Sequence, residues 1–133
     1  MKLTRKSEYA LLMLLYLARQ KEEEYVSLKK VSKTLKIPLK YLEHLASSMC
    51  KGGFITSSKG NKGGYKLLKK AEEISVAEII RFFDGALAPV DSVSKYFYKS
   101  TPIEKEEKML QLLREIRDFI ADKLEKTKIS DLV

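Results

Sequence analysis

The chain has 133 residues, 44% of them hydrophobic, and 26 Lys+Arg against 18 Asp+Glu give a net charge of +8. That is one domain's worth of chain, and no apolar run approaches the ~18 residues a membrane-spanning helix needs. The opening Met-Lys-Leu-Thr-Arg-Lys leads into a helical pattern rather than a signal peptide, so a cytoplasmic protein without a membrane partner is expected. One cysteine, Cys50, and one histidine, His44, exclude an intrachain disulfide framework and a cluster of cysteine metal ligands, and leave little acid, base or nucleophile chemistry. No enzyme, cofactor or metal is expected.

Thr4 is placed to cap a first helix over residues 7–19, which is apolar on nearly every side from Tyr9 to Ala18 and therefore central. Residues 20–25, with three consecutive glutamates, form a solvated loop. Ser27 caps a second helix whose Leu28, Val31 and Leu35 keep helical spacing, and Lys36-Ile37-Pro38 makes the turn because a residue before proline avoids the α region. A third helix runs from about Pro38 to Lys51 and stops at Gly52-Gly53. At roughly 100° per residue, Leu39, Leu42, Leu45, Ala46 and Met49 share its inner face. Lys40, His44, Ser47, Ser48 and Lys51 share the outer one, bordered by Tyr41 and Glu43. Hydroxyl, imidazole, carboxylate and ammonium groups on such a face suit base edges and phosphates in a DNA major groove.

Two β-capable runs, residues 54–57 and 65–68, flank a turn rich in glycine and lysine. Gly60, Gly63 and Gly64 admit positive φ or a close approach, and Lys59, Lys62 and Lys66 make the tip cationic. After a helix-turn-helix pattern, this hairpin reads as the wing of a winged helix. The charge is distributed to match. Residues 1–70 hold 16 basic and 5 acidic side chains, a net +11, and residues 71–133 hold 10 and 13, a net −3. A basic half joined to a mildly acidic one suggests a nucleic-acid reader attached to something that assembles or senses.

Residues 75–83 form a short amphipathic helix with Val76, Ile79, Ile80 and Phe83 inward, ended by Asp84-Gly85. Residues 86–102 read as a linker with a small helical turn and the aromatic run Tyr96-Phe97-Tyr98, which either lines an effector pocket or anchors the linker on the last helix. That helix spans about residues 103–126, with Met109, Leu113, Ile116 and Ile120 as the expected dimer contacts. The fold class is mainly α with a small β-hairpin: a winged helix-turn-helix domain over 1–85, the linker over 86–102, and a dimerisation helix and tail over 103–133.

Taken together, several stretches resemble the BadM/Rrf winged-helix transcription regulators, the IscR/NsrR/CymR family. They are Lys2-Leu3-Thr4 separated by four residues from Tyr9-Ala10, the helical residues 39–43, the wing from Ser58 to Leu67, the helix end over 79–85 and the terminal Ile129-Ser130-Asp131-Leu132-Val133. The resemblance covers essentially the whole chain. It implies a homodimer on a pseudo-palindromic operator, usually as a repressor, with half-sites about one turn, ~34 Å, apart. It places Leu39, Lys40, Tyr41, Glu43 and His44 near the bases and Lys59 in the minor groove, where lysine lacks the planar fork of arginine.

The expected DNA-binding set is completed by Thr4, Lys6, Ser47, Lys51, Asn61, Lys62, Gly63 and Tyr65. Cluster-binding relatives carry three linker cysteines and this chain has none, with Ser92 about where the first would stand, so it resembles the branch without iron–sulfur cysteines. Sensing then falls to Cys50, a candidate redox thiol that is more often simply packed, or to a regulatory protein or small-molecule effector at the linker. The alternative to a DNA-binding regulator is a winged-helix adaptor that binds protein alone.

Overall fold

The computed structural model describes residues 1–21, 23–60 and 63–133. In chain order it comprises α1 (Arg5–Ala18), α2 (Leu28–Leu35), α3 (Leu39–Lys51), β1 (Ile55–Ser58), β2 (Gly64–Leu67), α4 (Val76–Asp84) and α5 (Glu107–Lys126). Short 3-10 turns occupy Ala71–Glu73, Asp91–Val93, Pro102–Lys105 and Ile129–Leu132. Among the described residues no helix is long and apolar enough to cross a membrane.

The caps read from sequence form. The Thr4 side chain accepts from Ser7 N and the Ser27 side chain from Lys30 N. Ser75, placed inside the helix from sequence, instead caps α4, making a reciprocal capping box with Glu78. Lys36 ends α2 in the left-handed region at φ 56°, which turns Ile37 into the core. Pro38 is the residue before α3 rather than its first turn, with ψ 131° and its carbonyl accepting from Leu42 N.

Met13, Leu14 and Leu17 of α1 are central to one apolar core shared with Val31, Leu42, Leu45, Met49, Ile55, Ile74 and Ile79. Fully burying a side chain of this size is worth about 1.5–3 kcal/mol. A smaller cluster of Val76, Ala77, Ile80 and Leu87 packs against Leu11 and Leu124, joining α4 to both α1 and α5.

β1 and β2 pair antiparallel with Ile55 opposite Leu67 and Ser58 opposite Gly64. Val26 adds a one-residue bridge to β2, exchanging both backbone hydrogen bonds with Tyr65 at 2.8 and 2.9 Å. This close approach explains Gly64, where a Cβ would lie 2.4 Å from the Val26 carbonyl oxygen.

Two further features depart from the sequence reading. The last helix starts at Glu107, because Pro102–Lys105 winds as a separate 3-10 turn and Glu106, at ψ 88°, breaks it from α5. Ser100 Oγ donates to Glu104 at 2.7 Å and the Tyr98 hydroxyl donates to the same carboxylate, tying that turn back to the linker. The tail, grouped with the long helix from sequence, returns to the head. Ile129 is fully buried in the main core, its N–H bonds to Ile74 O at 2.9 Å, and Val76 N bonds to Thr127 O at 2.9 Å.

Candidate nucleic-acid interface

α3 separates its two faces cleanly. Leu42, Leu45, Ala46 and Met49 are buried, while Lys40, Glu43, His44, Ser47 and Lys51 are exposed together on the opposite side. Leu39 and Ser48 lie half-buried at the margins. Tyr41 is also half-buried, and its ring meets Tyr9 of α1 edge to face at 5.4 Å between centroids. The Arg5 guanidinium lies 5.8 Å from the Tyr9 ring centre. Aromatic pairs of this kind contribute about 0.5–1.5 kcal/mol beyond their burial, so Tyr41 holds the start of α3 against α1. The helix begins without a side-chain cap, leaving the positive end of its dipole open to an anion.

At the start of α1 the structure commits Thr4 to internal bonding. Its hydroxyl donates to the Asp84 carboxylate, its N–H reaches Asp84 Oδ2 at 3.2 Å, and the fully buried Ser7 hydroxyl donates to Asp84 Oδ2 at 2.6 Å. These bonds fix the start of α1, where Lys6 is exposed two residues on. Sequence reading treated Asp84 only as a helix end; its contact lies 80 residues away along the chain, which no local pattern signals.

In the wing, Lys59 is exposed beside Gly60, whose φ of +104° suits a residue without Cβ, and Gly63 N closes the turn onto Gly60 O at 2.9 Å. Asn61 and Lys62 lie outside the described residues. Tyr65 is half-buried behind α3, and burial together with Cys50 and Glu43 raises its phenol pKa. Lys66 is not a tip cation. It pairs with Glu23 at 2.5 Å and lies over the Tyr25 ring at 4.9 Å, and the Glu23 hydrogen bond raises its pKa. A strand alternates its side chains, so Lys66 points away from the face that Tyr65 presents to α3.

Cys50 is half-buried near the end of α3, and burial pushes its thiol pKa up. A thiol held protonated is a poor nucleophile. In the linker, Ser92 is buried with its hydroxyl 2.7 Å from that of Thr101, and Arg117 of α5 donates to Val93 O at 2.8 Å. Tyr96, Phe97 and Tyr98 remain exposed, Tyr96 beneath the Arg81 guanidinium at 4.9 Å.

α5 packs on the rest of the chain through the buried Leu110 and Ala121 and the partly covered Leu113, Arg117 and Leu124. Met109, Leu112, Ile116 and Phe119 project from another side and are 44, 49, 38 and 76% exposed. Ile116 and Met109 were singled out from sequence; Leu113 and Ile120 lie half-buried beside that stripe. Leu112 and Phe119 are not among the four positions expected from the helical spacing, because periodicity alone does not say which side a chain's own fold will cover.

The sequence matches over residues 3–133 the family described as Rrf2, iron-dependent transcriptional regulator. It is 42% identical over 91 residues to Protein rrf2 of Nitratidesulfovibrio vulgaris, a match spanning 68% of this chain and 61% of that protein. It is 30% identical over 132 residues to the HTH-type transcriptional regulator CymR of Bacillus subtilis, covering 99% of this chain and 89% of that one. The solved structure of B. subtilis CymR, described as the global cysteine regulator, superposes with a TM-score of 0.80 over 99% of this chain and 95% of that chain. The iron in the family description finds no matching donor set here. The sequence holds one cysteine, placed on α3, and no group of three His, Cys, Asp or Glu among the described residues is arranged to hold a metal ion. The residues present do not fit an iron–sulfur cluster.

Proposed function

We propose that this chain, which belongs to the Rrf2 family of transcription regulators, binds a pseudo-palindromic operator as a homodimer and represses from it. Family membership makes it a DNA-binding regulator and not an enzyme. The single observation that carries the rest is the exposed set Lys40, Glu43, His44, Ser47 and Lys51 on one face of α3, next to a wing with Lys59 at its turn. In a major groove these side chains meet base edges and phosphates, and Lys59 reaches the adjacent minor groove. Glu43 accepts from cytosine N4 and penalises misplacement on phosphate.

The dimer reading is supported by the apolar stripe on α5, since four large apolar side chains at spacings of 3, 4 and 3 favour a second helix over water. With Met109 and Ile116, Leu112 and Phe119 form the centre of that contact, and Leu113 and Ile120 its edge. A two-fold through α5 sets two α3 helices one helical turn apart, ~34 Å. A protein-only adaptor has no need of a basic outer face on α3.

The linker is the favoured place for regulation, by a small molecule or a protein. Ser92, Val93 and Ser94 are buried there and Arg117 of α5 holds the Val93 carbonyl, so a ligand at the linker shifts α5 against the head without touching base contacts. Because the B. subtilis relative is described as a cysteine regulator, genes of cysteine metabolism are the first targets to examine.

The test combines sedimentation of the free protein with footprinting on DNA selected from a random pool. A dimer at micromolar concentration and two protected half-sites ~34 Å apart are expected; a stable monomer, or protection of one site only, would overturn the assembly. Treatment with iron and sulfide under anaerobic conditions is expected to leave the selected-site affinity unchanged.

A further inference from the structure

An open groove of about 760 Å³ runs beside the outer face of α3, between it, the start of α1 and the end of α4. It is lined by the exposed Lys6, His44 and Lys51 together with the aromatic rings of Phe82, Phe83 and Tyr41. Phe82 stands out because it is 45% exposed on a helix whose Val76, Ala77, Ile79 and Ile80 are all buried. It is nonetheless held firmly, with its ring edge to face on Phe54 at 5.4 Å and on Phe83 at 5.0 Å. Gly52 leaves room for that stack: a Cβ there would come within 3.0 Å of Phe82 and 2.8 Å of Phe54. The fold thus keeps a rigid aromatic surface beside the recognition helix, unexplained by the core.

We infer that this groove seats one sugar–phosphate strand bordering the major groove, with Phe82 packing on deoxyribose and Lys6 and Lys51 on the phosphates either side. The inference rests on the DNA-binding reading of α3 and adds a contact from α4 to it. Three observations favour a nucleic-acid strand over another occupant. The groove shares His44, Ser47 and Lys51 with the candidate reading face, so a duplex docked on α3 must lay a backbone across it. No carboxylate is among its described lining residues, and the neighbouring Asp84 is occupied by Thr4 and Ser7. A lining that combines aromatic rings with cationic side chains matches the alternation of sugar and phosphate, whereas a second copy of this chain has the α5 stripe to cover.

The seating also explains why the chain anchors the start of α1 to the end of α4. The Thr4, Ser7 and Asp84 bonds fix the distance between Lys6 and Phe82, the two sides that a strand must fit between. Phosphate contacts of this kind set register and carry no sequence information.

The test is anisotropy on the selected duplex and on a random duplex of equal length, across a salt series, with sedimentation of each protein. Phe82→Ala is expected to weaken both duplexes by roughly 5-fold while leaving the salt slope unchanged, and Lys51→Gln to weaken both and lower the salt slope by about one unit. Phe82→Leu, which keeps the packing against Phe54, controls for folding and is expected to lose less than Phe82→Ala. Wild-type affinity for both duplexes in Phe82→Ala and Lys51→Gln would overturn the groove while leaving DNA binding by α3 intact. Loss of the dimer in Phe82→Ala, with affinity per dimer unchanged, would assign the groove to a second copy and equally overturn it. If wild-type protein binds no duplex, the regulator reading itself fails.

Discussion

The head and the long C-terminal helix treat their apolar residues in opposite ways. In the head, α1 offers Ala10, Met13, Leu14 and Leu17 to a core that α2, α3, the hairpin and Ile129 close around it. Of the 20 residues of α5, only Leu110 and Ala121 are buried, and Phe119 is 76% exposed. Both regions are patterned as amphipathic helices, so periodicity does not distinguish them. Coverage does: a helix enclosed by its own chain completes a fold, and a helix left half-covered needs a second surface. The split in charge follows the same line, with a net +11 over residues 1–70 and a net −3 over residues 71–133.

That contrast is broken most directly at Ile129, which lies after α5 in sequence but inside the head's core. Ile129→Ala is expected to cost about 2–5 kcal/mol in urea unfolding, as a truncation inside the head core would. A loss under 1 kcal/mol would mean that the tail is dispensable to the head. The opposite probe is Phe119→Lys on α5. It removes no buried packing within the chain, so unfolding of the monomer should change little, while the dimer dissociation constant should rise by about 100-fold, roughly 2.7 kcal/mol. An unchanged sedimentation profile would place the dimer contact elsewhere.

Within the head, Glu43→Ala tests whether the exposed face of α3 reads bases. Discrimination between the selected site and its best competitor should fall by about 1–3 kcal/mol, with random-sequence affinity constant or slightly higher. A uniform change across all sequences would reassign Glu43 to helix stability. The smallest expected effect is at Cys50. Its thiol is held above the usual cysteine range by burial, so the protonated, unreactive form dominates at neutral pH and the thiolate appears only as pH rises through that raised value. Alkylation by iodoacetamide at pH 7 should therefore be slower than for free cysteine, and operator binding by wild type and Cys50→Ser should respond alike to peroxide. Rapid alkylation at neutral pH would revive the thiol as a sensor.

What the sequence determined by itself was local. Thr4 and Ser27 cap the helices they precede because a side-chain oxygen satisfies an N–H three residues on. The two faces of α3, the hairpin and the basic character of residues 1–70 follow in the same way from spacing and composition. The family was legible too, because its motifs recur in order along the chain. The tertiary structure alone decided what depends on residues far apart. It assigned Thr4 to Asp84, turned Lys66 from the wing tip to Glu23, put Ile129 into the head and chose which side of α5 remains uncovered. Each is a choice among partners that local pattern leaves equivalent. The packing of the whole chain resolves them, since buried polar groups must find partners and each apolar face is covered only where another element happens to lie.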